Sequence, residues 1–225
     1  MTVHMQKEIE GLKTKLLGLC AIVEKSLCLA VQSVRERDGI LARKVIDEDE
    51  QIDQMEVDVE EECLKILALH QPVAIDLRFI ITALKINNDL ERIGDLAVNI
   101  AERGEFLAGR EPISVPFDFD AMAEKTQWML TESLDSLVDM DGKRAFEVCA
   151  ADDEVDAINR QMYKQVEASI VAHPVWTQRL LHLLSISRHL ERVADHATNI
   201  AEDVIYMVEG RIVRHKAEDY RGWKQ

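Results

Sequence analysis

Long stretches of the chain repeat apolar residues at intervals of three and four positions, a pattern typical of amphipathic helices. In the first stretch the repeated positions are Met5, Ile9, Leu12, Leu16, Leu19, Val23 and Ala30. In the second they are Val45, Ile52, Val59 and Ile66, which follow one another every seven residues. Nothing in the chain alternates with period two, so no β-strands are predicted.

Turn signals divide these stretches into six helices. Asp38-Gly39 and Asp141-Gly142 are predicted to be turns, and Pro72 and Pro174 each follow a predicted helix end. The first helix ends near Arg37, and the second starts at the Asp38-Gly39 turn. The remaining predicted helices run from that turn to His70, from about Ala74 to Leu107, from about Asp120 to Met140, from Asp141 to His173, and from there to Glu209.

One segment of thirteen residues occurs twice, one hundred positions apart. Leu90–Glu102 is LERIGDLAVNIAE, and Leu190–Glu202 is LERVADHATNIAE. The Asp-Gly turns, the histidines at helix ends and two aspartate pairs also recur, at an offset of 103: Asp38 and Asp141, His70 and His173, Asp49 and Asp152, Asp53 and Asp156. The chain is therefore an internal duplication with a unit of about one hundred residues.

Three long helices joined by short turns cover their apolar faces by packing against one another. The predicted fold class is therefore all-α, with two tandem three-helix bundles of six long helices in total, related by an internal pseudo-two-fold. Residues 1–108 form the first bundle and residues 120–213 the second. Residues 109–119, with Pro112 and Pro116, form the linker, and residues 214–225 form a C-terminal tail.

Composition narrows the range of functions. The chain of 225 residues has 42 acidic and 27 basic side chains and a net charge of −15, which argues against nucleic acid as a partner. Its longest apolar run, Leu16–Val23, is too short to cross a bilayer, so no transmembrane segment is predicted. Four single cysteines without a Cys-x-x-Cys pair are expected to be reduced core residues.

Acidic side chains form stripes on the predicted helices. On the third helix Glu91, Asp95 and Glu102 lie nearly opposite the apolar seam, and on the second Asp49, Asp53, Glu56 and Glu60 form another stripe. With so many acids in the chain, these stripes could simply be solvated faces. Like charges at such spacings repel. Their presence in both copies favours a face that binds cations or a partner.

The chemistry of the stripes suits a metal ion better than catalysis. Carboxylate and carboxamide oxygens are hard ligands, which suit magnesium, calcium, manganese or iron, with zinc as a further alternative. No Glu-x-x-His tetrad of the ferritin type occurs. No nucleophile with a base and no phosphate-binding loop is present, so we predict neither an enzyme nor an organic cofactor. Arg188 stands where the first copy has Asn88, which predicts unequal sites.

The two LER segments, each preceded by an Asp-x-x-x-Asp helix, resemble the PhoU family of bacterial phosphate-uptake regulators. The resemblance covers about residues 5 to 213. It implies a non-enzymatic cytoplasmic regulator, often a homodimer, that also contacts the inner face of the membrane. Such a regulator couples the ATPase of the phosphate ABC transporter to a sensor histidine kinase, and it represses phosphate uptake and phosphate-starvation genes.

The resemblance also implies metal sites, because acidic motifs bind metal clusters in some members of the family. The corresponding ligands here are Asp49, Asp53, Glu91 and Asp95 in the first bundle and Asp152, Asp156, Glu191 and Asp195 in the second. Further candidates are Asn99, Glu102, Asn199 and Glu202. A different function, which the sequence leaves open, is a helical metal-buffering protein without a signalling partner.

Overall fold

The computed structural model describes residues 3–114 and 118–213. Its six long helices are α1 (Val3–Glu36), α2 (Gly39–His70), α3 (Ala74–Ala108), α4 (Phe119–Asp139), α5 (Gly142–Ala172) and α6 (Thr177–Glu209). Within those ranges no strand occurs, so the all-helical prediction is confirmed. A short 3-10 helix, Pro174–Trp176, precedes α6 and was not predicted. The predicted tail and residues 115–117 of the predicted linker lie outside the described residues.

The apolar positions that predicted the helices form the core. All seven predicted positions of α1 are buried, as are Val45, Ile52, Val59 and Ile66 of α2. The seam of α3 is fully buried at Ile86, Leu90, Ile93, Ala97 and Ile100. The expectation that all four cysteines are core residues is wrong for Cys28, which is exposed because its position on α1 falls outside the apolar seam.

The helices pack as two groups of three, joined mainly through α3 and α6 and to a lesser extent through α1 and α4. Within the groups, α1, α2 and α3 contact one another, as do α4, α5 and α6. Between them, Lys85 contacts Asp203 and Phe106 stacks on His182, so α3 and α6 run antiparallel. An antiparallel contact between the equivalent helices of two copies is consistent with the predicted pseudo-two-fold.

A partly buried polar contact crosses the middle of this junction. The His196 Nδ1 atom of α6 lies 2.7 Å from the Asp89 Oδ1 atom of α3. The Asn199 amide of α6 donates to the same oxygen at 3.3 Å. Because Asp89 is only 8% exposed, these partners supply hydrogen bonds that it would otherwise lack. The contact therefore links the two bundles at this point of the junction.

The turn before the second helix is the same in both copies. Asp38 accepts hydrogen bonds from the backbone N–H groups of Ile40 and Leu41 at 2.9 and 3.0 Å. Asp141 accepts from Lys143 and Arg144 at 2.9 and 3.1 Å. These carboxylates satisfy backbone donors that have no partner inside the helix. The Asp-Gly signal thus marks an N-cap at the start of α2 and α5.

Helix α1 has the length and the hydropathy of a membrane span, with a mean hydropathy of 1.6 over its most apolar window. The same composition is found in core helices of soluble bundles. Here Leu12, Leu16, Leu19 and Val23 are buried against the other helices of the bundle. The buried apolar face explains the high hydropathy of α1 without a membrane.

The N-cap of α5 offers a stability test. Replacing Asp141 with Ala removes both cap hydrogen bonds, so the free energy of unfolding should fall by about 1 kcal/mol. Asp141→Asn keeps a side-chain acceptor and should retain most of the stability. Urea unfolding followed by circular dichroism measures both changes. Equal losses in the two variants would contradict the capping role.

Candidate functional site

The first acidic cluster lies between α2 and α3. It consists of Asp49, Asp53 and Glu56 from α2 and Glu91 and Asp95 from α3, whose charges act on one another across the two helices. Gly94 makes the close approach possible, because a Cβ there would lie 3.1 Å from the Ile52 side chain and 3.6 Å from the Asp49 Oδ1 atom. The absence of a side chain at this position lets the two helices meet closely beside Asp49.

Burial and repulsion raise pKa values within this cluster. Desolvation raises the pKa of Asp49 to about 6, with further contributions from the charges of Asp53 and Asp95. Desolvation also raises the pKa of Glu91, as does the charge of Asp95, whereas the neighbouring Arg92 lowers it. Arg92 lies 3.2 Å from Asp95 and 3.3 Å from Glu91. The cluster is therefore rich in negative charge, and among the described residues Arg92 is the one cation paired with it.

The second acidic cluster occupies the equivalent place between α5 and α6. Desolvation and, after it, the charges of Glu191, Asp152 and Asp156 raise the pKa of Asp195 to about 6. Asp195 remains exposed as a residue, so its carboxyl borders water on one side and packed neighbours on the other. The pKa of Asp152 is also raised, first by desolvation and then by Asp156, while the hydroxyl of Thr198 lowers it.

The two clusters differ in charge. Position 56 of the first bundle is a glutamate, whereas its counterpart in the second, at the 103-residue offset, is Asn159. Arg188 and Arg192 both lower the pKa of Glu191 after desolvation and Asp156 have raised it. The second cluster thus has fewer acids and more nearby cations, as the Asn88–Arg188 difference predicts.

Four further candidate metal ligands lie outside the two acidic clusters: Asn99, Glu102, Asn199 and Glu202. Asn99 donates to the Asp95 carbonyl at 2.7 Å, and Glu102 pairs with Arg103. Asn199 and Glu202 line a cleft between α3 and α6 together with Asn88 and Asp89. The structure therefore brings together the eight principal candidates in two groups of four, with the other four at their edges.

The donor set suits a hard cation, because each cluster presents several carboxylates and no thiolate. Among residues 3–114 and 118–213, however, no group of three carboxylate, imidazole or thiol side chains is arranged so that it could hold one metal ion. The clusters are consequently open arrangements, in which side-chain rotation would have to complete a coordination shell.

Some residues that shape the clusters were not among the predicted ligands. Asn87 is almost fully buried, and its amide donates to both the Glu56 carbonyl and the Glu56 Oε1 atom, at 3.0 and 2.9 Å. In the second bundle Ser187 donates to the Asn159 Oδ1 atom at 2.7 Å. Both contacts occupy equivalent positions and hold a polar side chain of the middle helix. The only sequence signal for them is a polar residue within an apolar seam.

The raised pKa of Asp49 predicts how stability changes with pH. A carboxyl that binds its proton more tightly in the folded chain adds stability below its unfolded pKa near 4, and this stability is lost as pH rises through about 6. With a chelator present, the melting temperature should therefore fall between pH 5 and pH 7. Asp49→Asn should flatten this dependence, whereas Asp47→Asn, on the exposed side of α2, should leave it unchanged. Identical pH profiles for the parent and Asp49→Asn would contradict the assignment.

Comparison with known proteins places this chain and its fold in one family. A model of the PhoU domain matches residues 16–104 and again residues 119–204. A phosphate-specific transport system accessory protein PhoU homolog from Aquifex aeolicus is 38% identical over 210 residues, covering 93% of this chain and 95% of that protein. The homolog of the same description from Pseudomonas aeruginosa is also 38% identical, covering 92% and 86%.

Solved structures agree with this assignment. The crystal structure of PhoU from Pseudomonas aeruginosa superposes with a TM-score of 0.88 at 37% identity, covering 92% of this chain and 99% of that one. The phosphate transport system regulatory protein PhoU from Streptococcus pneumoniae gives a TM-score of 0.81 at 26% identity, covering 93% and 99%. The chain belongs to the PhoU family.

Proposed function

We propose that this protein is a non-enzymatic accessory regulator of phosphate transport. The observation that carries the proposal is the match of the PhoU domain to both halves of the chain, joined to an acidic cluster at the same place in each half. Its curated relatives are described as accessory proteins of the phosphate-specific transport system. A helical bundle suits an adaptor, since adaptors act through surfaces.

The finer proposal concerns partners. The protein acts in the cytoplasm and at the inner face of the membrane, as a homodimer. There it couples the ATPase of the phosphate ABC transporter to a sensor histidine kinase and represses phosphate-starvation genes. Support comes from the family and from the net charge of −15, which favours a basic partner surface over nucleic acid.

Metal ions are the proposed means by which the clusters are neutralised. Asp49 and Asp53 of α2 with Glu91 and Asp95 of α3 would hold an ion in the first bundle, and Asp152, Asp156, Glu191 and Asp195 would do so in the second. A bound cation supplies positive charge and draws oxygen ligands from two helices together. Desolvation and then repulsion between carboxylates raise the pKa values of Asp49 and Asp195, which supports this proposal because a cation would relieve the repulsion.

Metal binding should stabilise the fold. At a free Mn²⁺ concentration of about one hundred times Kd, the gain is roughly 2.7 kcal/mol, or about 5–10 °C in Tm for a chain of this size. Glu91→Gln with Asp95→Asn should remove most of that gain. The matched pair Asp47→Asn with Glu61→Gln, both exposed acids of α2, should keep it. Differential scanning fluorimetry measures the shift, and a gain that persists in the cluster variant would refute this metal site.

Capture of partners tests the regulatory role. The full chain should retain the transporter ATPase or the cytoplasmic part of the phosphate-sensing kinase in a pull-down, and a chelator or the Glu91→Gln/Asp95→Asn pair should weaken the retention. Retention that neither the chelator nor the double substitution weakens would show that partner binding does not depend on the acidic cluster. If neither partner is retained while the protein binds metal ions tightly, the metal-buffering alternative replaces the adaptor.

A further inference from the structure

An apolar groove opens between the two bundles, beside the C-terminal end of α6. It encloses about 260 Å³. Its apolar lining comes from α1, α3, α6 and the C-terminal end of α4 and includes Leu17, Ile75, Phe79, Val138, Met140 and Met207. Ile75 is 75% exposed and Val138 56%. Contiguous exposed apolar surface of this kind is typical of a site that another surface covers.

The size and the charges of the apolar groove suit one large side chain. Pockets that enclose a whole small ligand measure roughly 300–1,000 Å³, and this groove lies just below that range. Two charged side chains, Lys13 and Asp76, also line it. Lys13 pairs with Glu10 at 3.1 Å, whereas Asp76 has no ion-pair partner among the residues that the structure describes. The lining therefore fits an aromatic ring with a basic side chain nearby.

The chain leaves α6 beside this groove. Met207, which lines the groove, lies in the last turn of α6. Gly210 then lies directly against Arg78 of α3, because a Cβ on Gly210 would be 2.7 Å from the Arg78 Nη1 atom. Arg78 is the neighbour of the groove residue Phe79. Since Val213 is fully buried, the chain stays close to the bundle as far as the residue before the C-terminal tail.

The C-terminal tail, residues 214–225, has the length and the chemistry to occupy the groove. Trp223 is the tenth residue after Val213. An extended backbone spans about 35 Å over that separation, which is roughly three helix diameters. The tail has four basic and two acidic side chains in a chain whose net charge is −15, and the bases Arg221 and Lys224 lie on either side of Trp223 in the sequence. They complement the Asp76 carboxylate as the ring complements the apolar lining.

We infer that the apolar groove is the docking site of this chain's own C-terminal tail, with the Trp223 indole in the groove and a flanking base beside Asp76. A short tether holds a segment at an effective concentration on the order of millimolar, so the tail occupies the groove ahead of a partner dissolved at a lower concentration. An aromatic ring also buries more apolar area than other side chains do. Because both bundles form the groove, the docked tail ties the second bundle to α1 and α3 of the first.

Tryptophan fluorescence of the full chain tests the inference. Trp128→Phe with Trp176→Phe leaves Trp223 as the single tryptophan. Its emission should lie at shorter wavelength than that of N-acetyltryptophanamide, and its acrylamide quenching constant should be at least about threefold lower, because the groove shields the ring. Val138→Lys places a charge in the groove and should raise that constant at least about twofold. Val57→Lys, at a similarly exposed valine of α2 outside the groove, is the matched control and should leave the constant unchanged.

Refolding with a large excess of tryptophan-free chain that carries Val138→Lys identifies whose groove holds the tail. Shielding of Trp223 that persists supports docking within one chain. Shielding that the excess abolishes assigns the groove to the tail of a second copy and overturns the inference.

Two further results would also overturn it. One is a Trp223 as accessible as the free indole, which would leave the groove to an external partner. The other is equal quenching in Val138→Lys and Val57→Lys. Circular dichroism establishes that each variant is folded, and Ile75→Lys, at a still more exposed position of the groove, repeats the test on α3.

Discussion

The packing of α3 against α6 is the constraint on which the rest of the molecule depends. Both helices carry the repeated LER segment, and its apolar side is fully buried at Leu90, Ile93, Leu190 and Val193. Burying that side fixes the rotation of each helix about its axis. The acidic side of the same segment must then face the neighbouring helix of its own bundle. The position of the carboxylate clusters therefore follows from core packing, and like charges are held together at a cost that the apolar contacts offset.

Duplication produced two copies of this arrangement, and their differences are as informative as their similarities. The cap aspartates and the acid pairs are the same in both halves. Equivalent positions have instead acquired different charges in two places. One bundle has Glu56 where the other has Asn159, and Asn88 where the other has Arg188. Since the backbone positions are equivalent, such differences change the electrostatics of a site while its framework persists. The first bundle therefore has the greater need for an added cation.

Local sequence patterns predicted the helices well, because periodicity and N-cap chemistry act within a few residues. The positions of α2 and α5, for example, follow from the turns at Asp38 and Asp141. The grouping of the eight principal acids also followed from the helical wheel and the family. Contacts between helices distant in sequence were not predictable in this way. The Asp89–His196 contact, the amide of Asn87 on Glu56 and the exposure of Cys28 all depend on which helix lies opposite, and no local pattern specifies that.

The most direct measurement of the central claim is the coupling free energy between Asp49 and Asp95, from the unfolding of Asp49→Asn, Asp95→Asn and the double variant. The two carboxylates should repel each other when a chelator is present, so each single substitution should stabilise the fold. The double variant should then gain less free energy of unfolding than the sum of the two single gains. With saturating divalent cation the same substitutions should destabilise it, because each removes a ligand. Coupling near zero under both conditions would contradict the claim that the cluster is held together against its own charge and neutralised by a cation.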